Sequence, residues 1–188
     1  MRKTSVRARV LGGAVAVAAL GAGTFGAVSA SADTAGGAAA GGGAPAAVAV
    51  DGRNVVTSSH LSVDAATRAA QAALHAAEKA GQRVSVAVVD RNGTTVVTLR
   101  GDGAGPQSPE SAVRKAFTAV SWNAPTSELA GRLAQAPNLK DIPGTLFLAG
   151  GAPVQVQGAP VAGIGVAGAP SGDLDEQFAR AGAAAVGR

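Results

Sequence analysis

The chain has 188 residues, 47% of them hydrophobic but only 3% aromatic, and the lack of any cysteine excludes disulfides, thiolate metal sites and thiol nucleophiles. The formal net charge of +4 resides wholly at the start: Arg2, Lys3, Arg7 and Arg9 are four of the 16 basic residues and no acid precedes Asp33, so 12 basic and 12 acidic residues follow Ala32. Without a basic surplus to neutralise phosphates, a nucleic-acid partner loses its support.

Residues 1–32 read as an export signal. A positive n-region precedes the apolar, small-residue run Val10 to Val28, and Ala30-Ser31-Ala32 supplies a small-x-small site for cleavage after Ala32, with Ala30 as a second site. The run approaches membrane-spanning length, but Gly12, Gly13, Gly21, Gly23 and Gly26 argue against a retained anchor, so the expected location is extracellular. Residues 33–50 form a Gly/Ala-rich leader, with hardly a bulky side chain from Asp33 to Ala47. It cannot bury enough apolar area to offset its ordering entropy and is expected to be disordered. Residues 51–188 have the size of one domain.

Leu61 to Ala80 is predicted helical, with Ser62 or Ser59 as cap, an apolar stripe of Val63, Ala66, Ala70, Ala73, Leu74 and Ala77, and Gly81 as its end. Val84 to Asp90 and Thr94 to Arg100 alternate in the manner of strands around Asn92-Gly93, the signal of a two-residue hairpin turn. Ser108 caps and Pro109 starts a second helix, with Val113, Ala116, Phe117 and Val120 on one face, which closes at Pro125. Thr126 to Gln135 reads as a short helix and Pro137 to Pro143 as a loop. Thr145 to Ala149, Pro153 to Gln157 and Pro160 to Ala167 read as a meander of three strands, and Asp173-x-x-Glu176 as the start of a last helix burying Leu174, Phe178, Ala181 and Ala185. The expected fold is α+β, a layered α/β arrangement with a five-stranded antiparallel sheet and packed helices.

Gly163-Ile164-Gly165-Val166-Ala167-Gly168 satisfies G-x-G-x-x-G, but no βαβ unit follows and the acidic partner position falls at the chain end. Its glycines are better read as a close approach between backbones, or as room for a flat ligand. Asp90 and Asp102 could face each other near the hairpin base as an acid–base or iron pair; the structural reading is that each stabilises its own turn. No nucleophile elbow or zinc-type spacing is present, so no catalytic residue is assigned.

Several segments match, in order, those of one family. VSVAVVDRNG, LRGDGAG, RKAFTAV, FLAGGAPV and GAPVAGIGVAGAPSGDLDEQFARAG, spread between Leu61 and Val186, resemble the V-D-x-x-G, R-x-D-G-A, K-A-x-T-A, G-G-x-P-(I/V) and G-x-(I/V)-G-V-x-G...D segments of the GlcG/HbpS family, also called the haem-degrading domain family. Gly101 departs from the pattern, which has a bulkier residue there, and implies a more open pocket wall. The resemblance implies a homo-oligomer that binds haem and, for an exported member, acts in haem capture, buffering or sensing beside a membrane sensor kinase. It leaves open a haem-degrading or other small-molecule enzyme, and a structural oligomer without haem.

Among the usual axial ligands the chain beyond residue 32 offers only His60 and His75, since it has no Cys, Met or Tyr there. His75 lies off the apolar stripe of its helix, with Arg68, Gln71, Glu78 and Lys79. The second candidate surface is the polar side of the Ser108 to Trp122 helix. There Arg114 and Lys115 suit propionates, Trp122 could stack on a porphyrin, and Thr118 is the hydroxyl of the K-A-x-T-A segment, where the family resemblance implies a threonine in iron coordination. His75 and Thr118 are thus the two candidate iron ligands. An oligomer interface or a solvated face is the alternative use of the second surface.

Overall fold

The run Val84 to Val89 holds no side chain that must face water, and the chain buries every one of its residues. In the computed structural model, which describes residues 47–187, this run supplies β1 (Ser85–Asp90), an inner strand flanked by β2 (Thr95–Arg100) and β4 (Ala159–Ala167), with β3 (Gly151–Val156) outermost. All pairings are antiparallel: Val88 lies opposite Val97 on one side and Ile164 on the other. The β3–β4 hairpin turns through Gln157 and Gly158 at φ 52° and 81°, the double positive φ of a two-residue turn whose twist matches its strands. The export signal and most of the leader lie outside the described residues.

Helices cover both faces of the sheet. α1 (Val63–Lys79) and α4 (Gly172–Ala184) lie on one face, where Ala66, Ala70, Ala73, Ala77, Phe178 and Ala179 pack on Val86, Val88, Ile164 and Val166. α2 (Ser108–Trp122) lies on the other, with Ala112, Ala116 and Val120 against Ala87 and Val89. Each fully buried valine or isoleucine contributes about 1.5–3 kcal/mol by leaving water, so the core's weight rests on β1 and β4. α3 (Thr126–Arg132) follows α2 directly. Asn123 ends α2 at φ 51°, a left-handed cap that asparagine tolerates.

The glycine run in β4 is a packing device. A Cβ placed at Gly165 or Gly163 would land on the carbonyl oxygen of Ala112 or Ala116. Only glycine there lets α2 settle onto the strand, as the close-approach reading of the G-x-G-x-x-G run requires.

The sheet has four strands and not the five expected. Thr145 to Ala149 does not pair with a strand; its backbone is held by side chains of α2. The Leu146 N–H donates to Thr118 Oγ1 at 2.8 Å, and Arg114 Nη2 donates to the Thr145 carbonyl at 2.8 Å. Alternating apolar residues gave the segment a strand's pattern, yet Phe147 is buried with Ala124 and Leu129, outside the sheet. Two caps also differ. Ser108 is the first residue of α2, and its hydroxyl sits 2.8 Å from Ser85 Oγ and donates to the Gly105 carbonyl. Ser171, and not Asp173, caps α4 by accepting the Leu174 N–H at 3.2 Å. The predicted helix at 126–135 stops at Arg132, and the 137–143 loop contains a 3-10 turn, Pro137–Asp141.

Candidate functional site

The polar side of α2 is largely occupied in holding the chain together. Thr118 has no exposed surface; its hydroxyl donates to the Arg114 carbonyl at 2.8 Å while accepting from Leu146. Arg114 reaches the Thr145 carbonyl, with Glu110 at 3.9 Å. The half-buried Trp122 ring stands edge-on to Phe147, their centroids 5.2 Å apart. Arg114, Thr118 and Trp122 therefore line up along the segment that connects α3 to β3, which they clamp.

Lys115 has a separate environment. Its ammonium is 2.8 Å from Asp175 Oδ2 and donates to the Val166 carbonyl at 3.0 Å, and the two charged side chains are only 6% and 5% exposed. The pair ties α2, on one face of the sheet, to α4 on the other. Burial pushes the Asp175 carboxyl above its ordinary value despite the lowering effect of the ammonium and of the Ala169 and Gly168 amides. A groove of about 320 Å³ opens above the pair, walled by Leu148, Ala149, Gly172 and Asp173.

Asp175 and Glu176 escaped the sequence reading, which took Glu176 for a capping residue. Glu176 is buried and accepts the Ser127 N–H at 2.9 Å, the Ser127 hydroxyl at 2.7 Å and Arg180 Nη2 at 2.8 Å. Burial raises its carboxyl, but these bonds and a longer one from Gly150 outweigh that and hold it below the ordinary glutamate value. A usable signal existed: Asp175, Phe178, Ala179 and Gly182 share a helix face by i, i+3, i+4, i+7 spacing, and an acid on an apolar face requires a partner.

The histidines lie elsewhere. His60 has both ring nitrogens engaged, Nε2 at 2.6 Å from Ser58 Oγ and Nδ1 at 3.4 Å from Asp90 Oδ2. His75 is exposed on α1, across the sheet from Thr118, and among the described residues has no hydrogen-bond or ion-pair partner. The structure thus does not bring His75 together with Arg114, Lys115, Thr118 and Trp122. One turn on from His75, Glu78 lines a second groove of about 310 Å³, with Leu74, Gly81, Gln82, Arg83, Gly101 and Asp102. Gly101 does line this groove, but a Cβ there would come within 2.9 Å of the Val84 carbonyl and 3.0 Å of Leu74, so most of the space that its missing side chain leaves is already taken.

Asp90 and Asp102 do not face each other. Asp90 ends β1 at the turn, where its Oδ1 accepts the Asn92 and Thr94 amides at 2.9 Å, while Asp102 follows Arg100, which pairs with Ser85 at the far end of the hairpin. Five strand steps separate those ends, roughly 17 Å. Among the described residues no three His, Asp or Glu side chains converge as a metal cage.

The family model described as haem degrading protein HbpS-like matches residues 61–184. The chain belongs to the HbpS-like family. It is 76% identical to a double mutant of Streptomyces reticuli HbpS, whose crystal structure superposes with a TM-score of 0.76 over 77% of this chain and 99% of that one. A crystal structure of HbpS gives 77% identity and a TM-score of 0.74, covering 75% of this chain and 100% of the other. A PduOC:heme complex gives 28% identity and a TM-score of 0.62 over 67% and 94% of the two chains. No curated protein matches the chain. The segments that carry the resemblance fall mainly at contacts between layers: VSVAVVD is the inner strand, RKAFTAV the helix that holds the backbone of Thr145 and Leu146, and GIGVAG the glycine seam.

Proposed function

We propose that this HbpS-like protein is exported and binds haem outside the cell, serving capture, buffering or sensing. The likeness to PduOC, a protein solved as a haem complex, carries the reading, and membership of a family described as haem degrading supports it. The donor chemistry fits: His75 has an exposed imidazole with no partner among the described residues and able to ligate iron, whereas His60 is held at both nitrogens and the buried Thr118 hydroxyl already donates one bond and accepts another. We assign the iron to His75 and keep Thr118 as the rival. Bound haem would supply redox and ligand-sensing chemistry; the chain's part is to hold and enclose it. An imidazole on one exposed helix face leaves a porphyrin mostly in water, so we further propose that a homo-oligomer completes the enclosure and that a membrane sensor kinase reads the state of the folded domain.

The test is a haem titration of residues 33–188 followed by Soret absorbance, with His75→Ala and Thr118→Val in parallel. Saturable binding lost in His75→Ala and retained in Thr118→Val is expected. The reverse pattern moves the ligand to Thr118, and no saturable shift in the parent protein overturns the haem reading. The family description favours one further outcome: decay of the bound spectrum to defined products when a reductant is added would make the protein a haem-degrading enzyme.

A further inference from the structure

The buried ion pair beneath the groove beside α4 is an expensive feature with no role in holding haem at His75. Replacing a pair of this kind by apolar residues of the same size is often neutral or stabilising, so stability alone does not account for it, and desolvated charged groups in a cleft are functional-site candidates. The backbone makes room for the ammonium: a Cβ at Gly150 would approach Lys115 Nζ to 2.6 Å and the Val166 carbonyl to 2.7 Å. An ammonium has three N–H donors, and among the described residues two acceptors meet that of Lys115, Asp175 Oδ2 and the Val166 carbonyl. A donor is left over on a side chain that lines the groove.

The charges around the groove select its ligand. Lys115 and Asp175 cancel at the floor, and the exposed Asp173 adds a negative charge at the rim. A simple anion would meet Asp173 unfavourably, and a simple cation would meet the Lys115 ammonium unfavourably. We propose that the groove binds a small zwitterion of amino-acid size, its carboxylate oxygen accepting from Lys115, its ammonium beside Asp173 and a short aliphatic group against Leu148. The volume, about 320 Å³, is at the small end for ligand sites, and the site stands independently of the haem reading.

Isothermal titration calorimetry with L-alanine and L-lactate as probes tests this. L-alanine binds saturably, one per chain, at millimolar affinity; L-lactate, lacking the ammonium, binds at least tenfold more weakly. Asp173→Asn, a change at an exposed side chain, removes that preference, and Leu148→Trp fills the groove and abolishes binding, while circular dichroism melts and haem titrations match the parent protein. Absence of saturable alanine heat, equal affinity for lactate, or alanine binding that survives both substitutions overturns the proposal.

Discussion

Replacing Lys115 by methionine keeps an unbranched side chain, one atom shorter, and removes its charge. Asp175, 5% exposed, then retains only its amide partners, the Ala169 N–H at 3.0 Å among them. Breaking a buried pair from one side costs about 3–5 kcal/mol, because the remaining charge stays uncompensated. At about 4 °C per kcal/mol for a domain of this size, Tm falls by roughly 12–20 °C. The loss depends on pH in a definite sense. Burial already raises the Asp175 carboxyl from its reference of 3.8, and removing the ammonium raises it further. A raised carboxylate favours the protonated form on folding, and the unfolded value is common to both proteins, so the variant's deficit is smallest in acid, grows as pH passes from the parent's folded value towards the variant's higher one, and is flat above it. Lys115→Met with Asp175→Leu removes both charges and regains most of the stability. Urea unfolding at pH 7 and about pH 4.5 measures all three effects. A loss below about 1 kcal/mol, the same loss at both pH values, or additive single variants would refute the view that the pair is a coupled, desolvated unit.

Gly165→Ala presses a methyl into the Ala112 carbonyl, and the overpacking costs at least about 1–3 kcal/mol in chemical denaturation; a variant as stable as the parent would show that the glycine seam does not set the α2–β4 distance. Thr118→Val strands the Leu146 N–H and costs about 1–3 kcal/mol, read as a lower denaturation midpoint with unchanged haem stoichiometry. Glu176, held below its reference of 4.5, contributes stability that is present above the unfolded value and lost as pH falls through the folded one. Glu176→Gln is therefore less stable at neutral pH and loses less on acidification, and an acid-unfolding profile parallel to the parent's would exclude that role for the carboxylate.

Periodicity and punctuation made most of the elements legible. The stripe of α1 apart from the exposed Val63, its Ser62 cap and Gly81 terminus, and the strands around Gly158 stand where local rules put them, while the turn at Asn92-Gly93 takes three residues and not two, closed by the Asp90 N–H donating to the Thr94 carbonyl. The missing strand shows where those rules stop. Thr145 to Ala149 has strand-like alternation, but pairing depends on a neighbour with free backbone groups, and there Thr118 and Arg114 make the hydrogen bonds instead. The site was legible by residue type and not by environment. Arg114, Lys115, Thr118 and Trp122 were grouped from helical spacing, which cannot say which of them face solvent and which face another segment. The Asp175 and Glu176 roles depend on contacts 60 and 49 residues away in sequence, beyond any local pattern.

The glycine seam explains why the polar side of α2 was open to two readings. Because Gly163 and Gly165 carry no side chains, α2 settles onto β4, and its polar residues are drawn against the sheet's border, where the incoming chain lacks sheet partners. Those backbone groups must still be satisfied. Leu146 N–H takes Thr118, the Thr145 carbonyl takes Arg114, Gly151 N–H takes Thr126, and Gly150 N–H turns to Glu176. Threonine and arginine on this side of α2 are thus required by backbone accounting whether or not any ligand binds, which weakens them as indicators of haem. The same accounting makes no demand for a histidine on the outer face of α1. His75 satisfies no backbone group and joins no ion pair among the described residues, and its exposed imidazole is the group that the proposed haem site would use.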